Sequence, residues 1–119
     1  MNNKNCILVC VTAQKDCARL IRRGSALAKE TGGALQVLHV SQGNVNHPDA
    51  AAILNELFSL AHEAEAEMNI LYEKDVAAAI ARYAASCGAS ALILGPDRMG
   101  IPGKLKLLLP QDVQVITEE

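Results

Sequence analysis

A chain of 119 residues, half of them apolar, has the length and composition of a single domain able to bury its own core. A net charge of −2 and 3% aromatic residues argue against a nucleic-acid partner, which wants a basic surface and stacking rings, and against attraction to an anionic membrane. No apolar run reaches spanning length, and the first five residues lead into a strand pattern instead of a charged, then apolar, leader, so a cytoplasmic protein is expected.

Residues 6–11 form a continuous apolar run of the kind found in central strands covered on both faces. Residues 16–31 then place Cys17, Leu20, Ile21, Gly24, Leu27 and Ala28 at helical spacing, and Gly32-Gly33 closes that amphipathic helix. A second strand is expected over 34–40. After a polar loop, Pro48 sits in the first turn of a helix running to about Glu67 and burying Ile53, Leu57, Leu60, Ala61 and Ala64. The third strand, 68–72, has polar flanks that suit a sheet edge. Asp75 is the expected N-cap of the next helix, which carries Val76, Ala79, Ile80, Tyr83, Ala84 and Cys87 on one face and ends at Gly88 in the left-handed position.

The stretch from Ser90 to Lys106 organises the rest. A short buried strand, Ser-Ala-Leu-Ile-Leu, runs into the loop Gly95-Pro-Asp-Arg-Met-Gly-Ile-Pro-Gly103, followed by Lys104-Leu-Lys. Glycine-rich loops directly after buried parallel strands are where open α/β sheets present backbone N–H groups to anions. Residues 105–109 have room for only about one helical turn before Pro110, and 113–117 form the last strand. Alternating strands and helices imply a parallel sheet with helices on both faces, whose ligand site lies at the carboxyl ends of the strands.

Other chemistry is thinly supported. Cys6, Cys10, Cys17 and Cys87 lack a C-x-x-C spacing and are expected to be reduced and packed as small hydrophobes. His39 lies inside a strand as a satisfied structural group, and His47 and His62 have no metal-type partners, so no metal site is expected. No serine sits in a nucleophile elbow, and neither a Walker A motif nor a serine-glycine-rich loop follows the first strand. An enzyme is the least supported class; ATP hydrolysis would need a carboxylate that only Asp16 and Asp97 could offer.

The segments Asn5-Cys-Ile-Leu-Val-Cys-Val-Thr, Leu20-Ile-Arg-Arg-Gly, Gln36-Val-Leu-His-Val40 and Gly88-Ala-Ser-Ala-Leu-Ile-Leu-Gly95 together resemble the universal stress protein family. The nearest flavour is the stress-protein domain inside potassium-sensing histidine kinases. The resemblance implies an open five-stranded parallel sheet in the order 3-2-1-4-5, the fold shared with the adenine nucleotide alpha hydrolases. It also implies a homodimer along the last strand, through Val113, Val115 and Thr117, and, in one branch of the family, an ATP site.

That branch carries an aspartate after strand one and Gly-x-x-Gly, then Gly-Ser/Thr, after strand four. Here Thr12 stands in place of the aspartate. Gly95 matches the first glycine but Arg98 stands at the second, and Gly100-Ile-Pro-Gly103 supplies a glycine pair only in a shifted register. Pro110-Gln111-Asp112 follows Leu107-Leu-Leu where Gly-Ser/Thr would open a helix, so the last helix is expected to be shortened or missing.

The resemblance places Val11, Thr12, Ala13 and Val40 at the adenine and ribose end of the crevice, with Gly95 beside them. Arg98 would grip a phosphate bidentately, Lys104 would act as a point charge, and the backbone at Gly100 and Gly103 would form an anion nest. Two readings stay open: a regulatory or stress-response domain binding ATP or another adenine nucleotide weakly, and a protein-interaction or dimerisation module of the same fold that has lost its ligand.

Overall fold

The computed structural model describes residues 6–11, 17–41, 50–95 and 100–118. In chain order they form β1 (Cys6–Val11), α1 (Cys17–Thr31), β2 (Ala34–Ser41), α2 (Ala50–Glu63), β3 (Glu67–Tyr72), α3 (Val76–Cys87), β4 (Ala89–Leu94), α4 (Ile101–Leu108) and β5 (Gln114–Thr117). The strands make one parallel sheet in the order β3-β2-β1-β4-β5. The order implied by the family resemblance is therefore the one observed, with β1 central and β3 and β5 at the edges.

Alternation along β1 explains why it is apolar throughout. Ile7, Val9 and Val11 face one core with residues of α1 and α2, including Leu20, Ile21, Leu57 and Ala61. Leu8 faces the other core with Ala77, Ile80 and Ala84 of α3 and Leu105 of α4. Each side chain of a strand buried on both faces meets a helix, so no polar position is needed. In α2, Ile53 and Leu60, with Ala64 just after it, pack against the first core only partly buried, while Leu57 and Ala61 are fully buried there.

Local chemistry sets the ends of the helices. Asp75 caps α3 through its carboxylate, which accepts from the Ala78 N–H at 3.1 Å, and Gly88 takes φ 69° after the last turn. Gly32, at φ 71°, closes α1, with the Gly33 N–H bonded to the Ala28 carbonyl at 2.9 Å. α2 stops at Glu63, four residues before the expected end. Glu65 adopts φ 58°, and the N–H groups of Glu65 and Ala66 turn back to His62 and Ala61. This is a Schellman closure made without glycine, so no glycine in the sequence marks it.

α4 corrects the expectation of a single turn over 105–109. It starts at Ile101 and runs for eight residues, about two turns, with Gly100 as N-cap at φ 68°. Pro102 suits the first turn, and Leu105 and Leu109 anchor the segment in the second core. That burial outweighs the poor helix propensity of Gly103. The chain then turns, the Val113 N–H bonding the Pro110 carbonyl at 3.1 Å, so Val113 belongs to this turn and β5 begins at Gln114. No helix stands between Leu109 and β5, as the absence of Gly-Ser/Thr implied.

Among the described residues, no helix is long and apolar enough to cross a membrane.

Candidate functional site

Parallel pairing brings the carboxyl ends of β1, β2 and β4 to one rim. β1 lies between β2 and β4, so the crossovers diverge there and leave a crevice. Val11 ends β1 at this rim and is buried; Val40, half-buried, sits one residue before the end of β2 and packs towards the α3 side. Gly95 follows β4 directly, half-buried, and a Cβ placed on it would stand 3.5 Å from Leu20 Cδ1, an ordinary contact. Packing therefore does not demand glycine at 95.

Gly100 brings the chain into α4, and the N-terminus of that helix opens at the same rim because α4 follows β4 and returns across the sheet. The Lys104 N–H bonds the Gly100 carbonyl at 3.1 Å, which closes the first turn. Upstream of it, the N–H groups of Ile101 and Gly103 have no carbonyl within the helix to reach, and Pro102 has no N–H. Gly103 and Lys104 are thus exposed first-turn residues of a helix and not parts of an extended loop, which corrects their expected setting. The element expected to meet an anion is thus a helix N-terminus and not a glycine nest. Thr12, Ala13 and Arg98 lie outside the described residues.

One contact at the rim has no signal in the sequence. Buried His39 in β2 places Nδ1 3.0 Å from the carbonyl oxygen of Val11, its register partner in β1. A carbonyl only accepts, so the Nδ1–H of His39 is the donor in this contact. His39 is the satisfied structural histidine that the sequence suggests, and it ties down the last residue of β1 before the chain leaves for the crevice. Finding it required the β1–β2 register, which only the fold supplies.

The expected dimer residues sit along one edge. Val115 is half-buried in β5, Thr117 is exposed at its end, and Val113 lies half-buried in the turn before it. Among the described residues, β5 has β4 on one side and no strand on the other. Nearby, Leu107 and Leu108 on α4 are 87% and 55% exposed. Among the described residues, no three His, Cys, Asp or Glu side chains are grouped to hold a metal ion.

The architecture is shared with solved universal stress proteins. One from Archaeoglobus fulgidus in complex with dAMP superposes with a TM-score of 0.72 at 22% identity, covering 95% of this chain and 96% of that one. Another, in complex with cAMP, gives 0.73 at 16% identity, covering 97% and 96%. By sequence, the sensor protein KdpD of Mycobacterium tuberculosis is 29% identical over 92 residues, which are 77% of this chain but only 11% of that protein. The chain thus spans about a tenth of the length of the curated relatives it matches. The family pattern itself, described as the universal stress protein family, is matched from residue 5 to residue 109, from the start of the central strand through α4. Sheet order and sequence pattern agree, and the chain belongs to the universal stress protein family.

Proposed function

We propose that the chain is a small cytoplasmic regulatory domain that binds an adenine nucleotide weakly in the crevice over the carboxyl ends of β1 and β4. The observation that carries this reading is the α4 N-terminus, which opens at Gly100 on the rim shared by Val11, Val40 and Gly95. The first-turn N–H groups and the positive end of a helix dipole favour a phosphate there, and Lys104 adds a point charge one turn in. Relatives of the same fold hold dAMP and cAMP, which supports an adenine ligand. Thr12 in place of the family aspartate leaves a hydroxyl as the ribose partner, and a neutral contact there is weaker than a charged one by about 1 kcal/mol. Likeness to one segment of a sensor protein supports a regulatory role over a catalytic one.

Calorimetric titration with ATP, AMP and cAMP at low and moderate salt tests the reading. Micromolar binding that weakens with salt, and weakens further in the Arg98→Ala, Lys104→Ala double variant, is the expected result. Absence of heat with all three nucleotides would refute it.

A second reading is favoured by the exposed apolar side chains of Leu107 and Leu108 on α4, a helix that packs against β5 at the edge of the sheet. Here the domain pairs with a second copy along β5, or with another protein, through a surface kept after the phosphate helix was lost.

A further inference from the structure

At the end of the sheet opposite the crevice, two cysteines far apart in the sequence meet. Cys6 opens β1, and Cys87 is the last residue of α3. Two local irregularities bring them together. Gly88, left-handed at φ 69°, turns the chain sharply out of α3 into β4. The β1–β4 register then slips, Cys6 pairing with Ala89 but Ile7 with Ala91, so that Ser90 is the extra residue of a bulge and its hydroxyl bonds the Cys6 carbonyl at 3.5 Å. The turn and bulge hold the first residue of β1 against the end of α3. There the Cys6 thiol donates to the Ile7 carbonyl at 3.8 Å and the Cys87 thiol to the Ala84 carbonyl at 3.7 Å, and the two sulfurs influence each other's ionisation.

The two sulfurs are not equivalent. The Cys6 thiol and the backbone N–H groups of Cys87 and Ala89 all favour a thiolate at Cys87, lowering its pKa against the opposing effect of burial. Cys6 is pushed far up by its interaction with Cys87, by burial and by the charge of that neighbour, and it is the buried member of the pair. Cys10, on the same strand, is pushed up to about 12 by burial and by Cys87. Ionisation of the pair is therefore favoured at the half-buried sulfur of Cys87. None of the four cysteines is in a disulfide.

We propose that Cys6 and Cys87 form a reversible dithiol–disulfide site, oxidised by small peroxides and reset by dithiols. The Cys87 thiolate attacks one peroxide oxygen; the O–O bond breaks, Cys87 becomes a sulfenic acid, and hydroxide leaves and is protonated to water. With the charge on Cys87 gone, Cys6 releases its proton more readily. Its sulfur attacks that of Cys87, the S–S bond forms, the S–O bond breaks, and the departing hydroxide takes the Cys6 proton as a second water. In sum, two thiols and one peroxide give one disulfide and two waters. Exchange with a reduced dithiol, itself oxidised to a disulfide, restores both thiols. The bond would fasten the start of the central strand to the end of α3.

The test uses the whole purified chain, reduced, exposed to hydrogen peroxide, alkylated and mapped without reductant. The expected product has lost two hydrogens, contains one cross-linked peptide pair joining Cys6 to Cys87, carries alkylated Cys10 and Cys17, and reverts with dithiothreitol. Cys6→Ser is expected to leave a Cys87 sulfenic acid that dimedone captures, and Cys87→Ser to leave Cys6 a thiol. A cross-link through Cys10 or Cys17, a bond between two chains, or four alkylated thiols at a peroxide dose that oxidises free cysteine in the same tube would overturn the proposal. Mapping of the unsubstituted chain decides the matter even where a serine variant fails to fold.

Discussion

Gly24 of α1 lies so close over Val9 of β1 that a Cβ on it would overlap Val9 Cγ2 and stand 3.0 Å from Leu35 Cδ1. Val9 is fully buried and β-branched, so it has no free rotamer to yield with. Gly24→Ala gains about 1 kcal/mol of helix propensity but meets an overpacking cost of about 1–3 kcal/mol. A lower denaturation midpoint is the expected outcome. Gly103→Ala is the control, since a Cβ there meets nothing within 4 Å and the backbone is helical; it is expected to stabilise by about 0.5–1 kcal/mol. If both substitutions shift the urea midpoint the same way, the close approach of α1 to the sheet is wrong.

Glu65 holds the left-handed position in the closure of α2. A residue with a Cβ is disfavoured there by about 1 kcal/mol, and glycine is not. Glu65→Gly is therefore expected to raise stability by several tenths of a kcal/mol to about 1 kcal/mol, read from thermal or chemical denaturation. A loss of stability would show that the turn at 64–66 is not so formed.

Tyr83 joins three elements. Its hydroxyl donates to Gln36 Oε1 at 2.5 Å and accepts from Asn69 Nδ2 at 2.6 Å. Tyr83→Phe leaves both partners half-buried and unanswered, at an expected cost of about 1–2 kcal/mol near neutral pH. Burial, with the Cys87 charge second, holds the phenol above its ordinary value, and burial pushes Cys10 from 9.0 to about 12. Above each ordinary value the unfolded chain loses its proton while the native protein keeps it. Unfolding then releases protons, and stability falls as pH rises through the window up to the folded value. Stability is expected to decline as pH rises above about 9, less steeply between pH 9 and 12 in Cys10→Ala. An unchanged slope in that variant would count against the Cys10 assignment.

Self-association through the β5 edge is expected to depend on its apolar neighbour. Leu107, 87% exposed, contributes little to the core, so Leu107→Glu is expected to keep the fold, by circular dichroism, while shifting sedimentation from dimer to monomer at micromolar concentration. A dimer indifferent to this change, or a monomeric parent, rules that edge out as the interface.

What the sequence made legible is what neighbouring residues decide. Asp75 and Gly88 mark both ends of α3 because capping is settled within one turn, and the unbroken apolar run of β1 marks it as central because both its faces are covered. α4 was hidden because Pro102 and Gly103 look like loop, whereas Leu105 and Leu109, buried against α3, hold it as a helix. Glu65 was hidden because nothing local favours it where it sits. Of the candidate-site residues, Val11 and Val40 were placed by the family resemblance and Gly95 and Gly100 by the glycine-rich loop after β4, and the fold sets these four at strand and helix ends. The His39–Val11 bond and the Cys6–Cys87 contact were not, because each depends on which residues a register sets side by side.

The strand order also sets a timetable for synthesis. Within this domain β1 leaves the ribosome before the other strands, yet its second neighbour, β4, begins only at Ala89. Until then the central strand offers an open ladder edge flanked by Leu8 and Val9, the most apolar template the chain possesses. Pairing over so long a loop is slow, and aggregation competes with it meanwhile. A nascent chain stalled in α3 is thus the species a chaperone would most need to hold, whereas one that has passed Leu94 can cover both edges of its central strand.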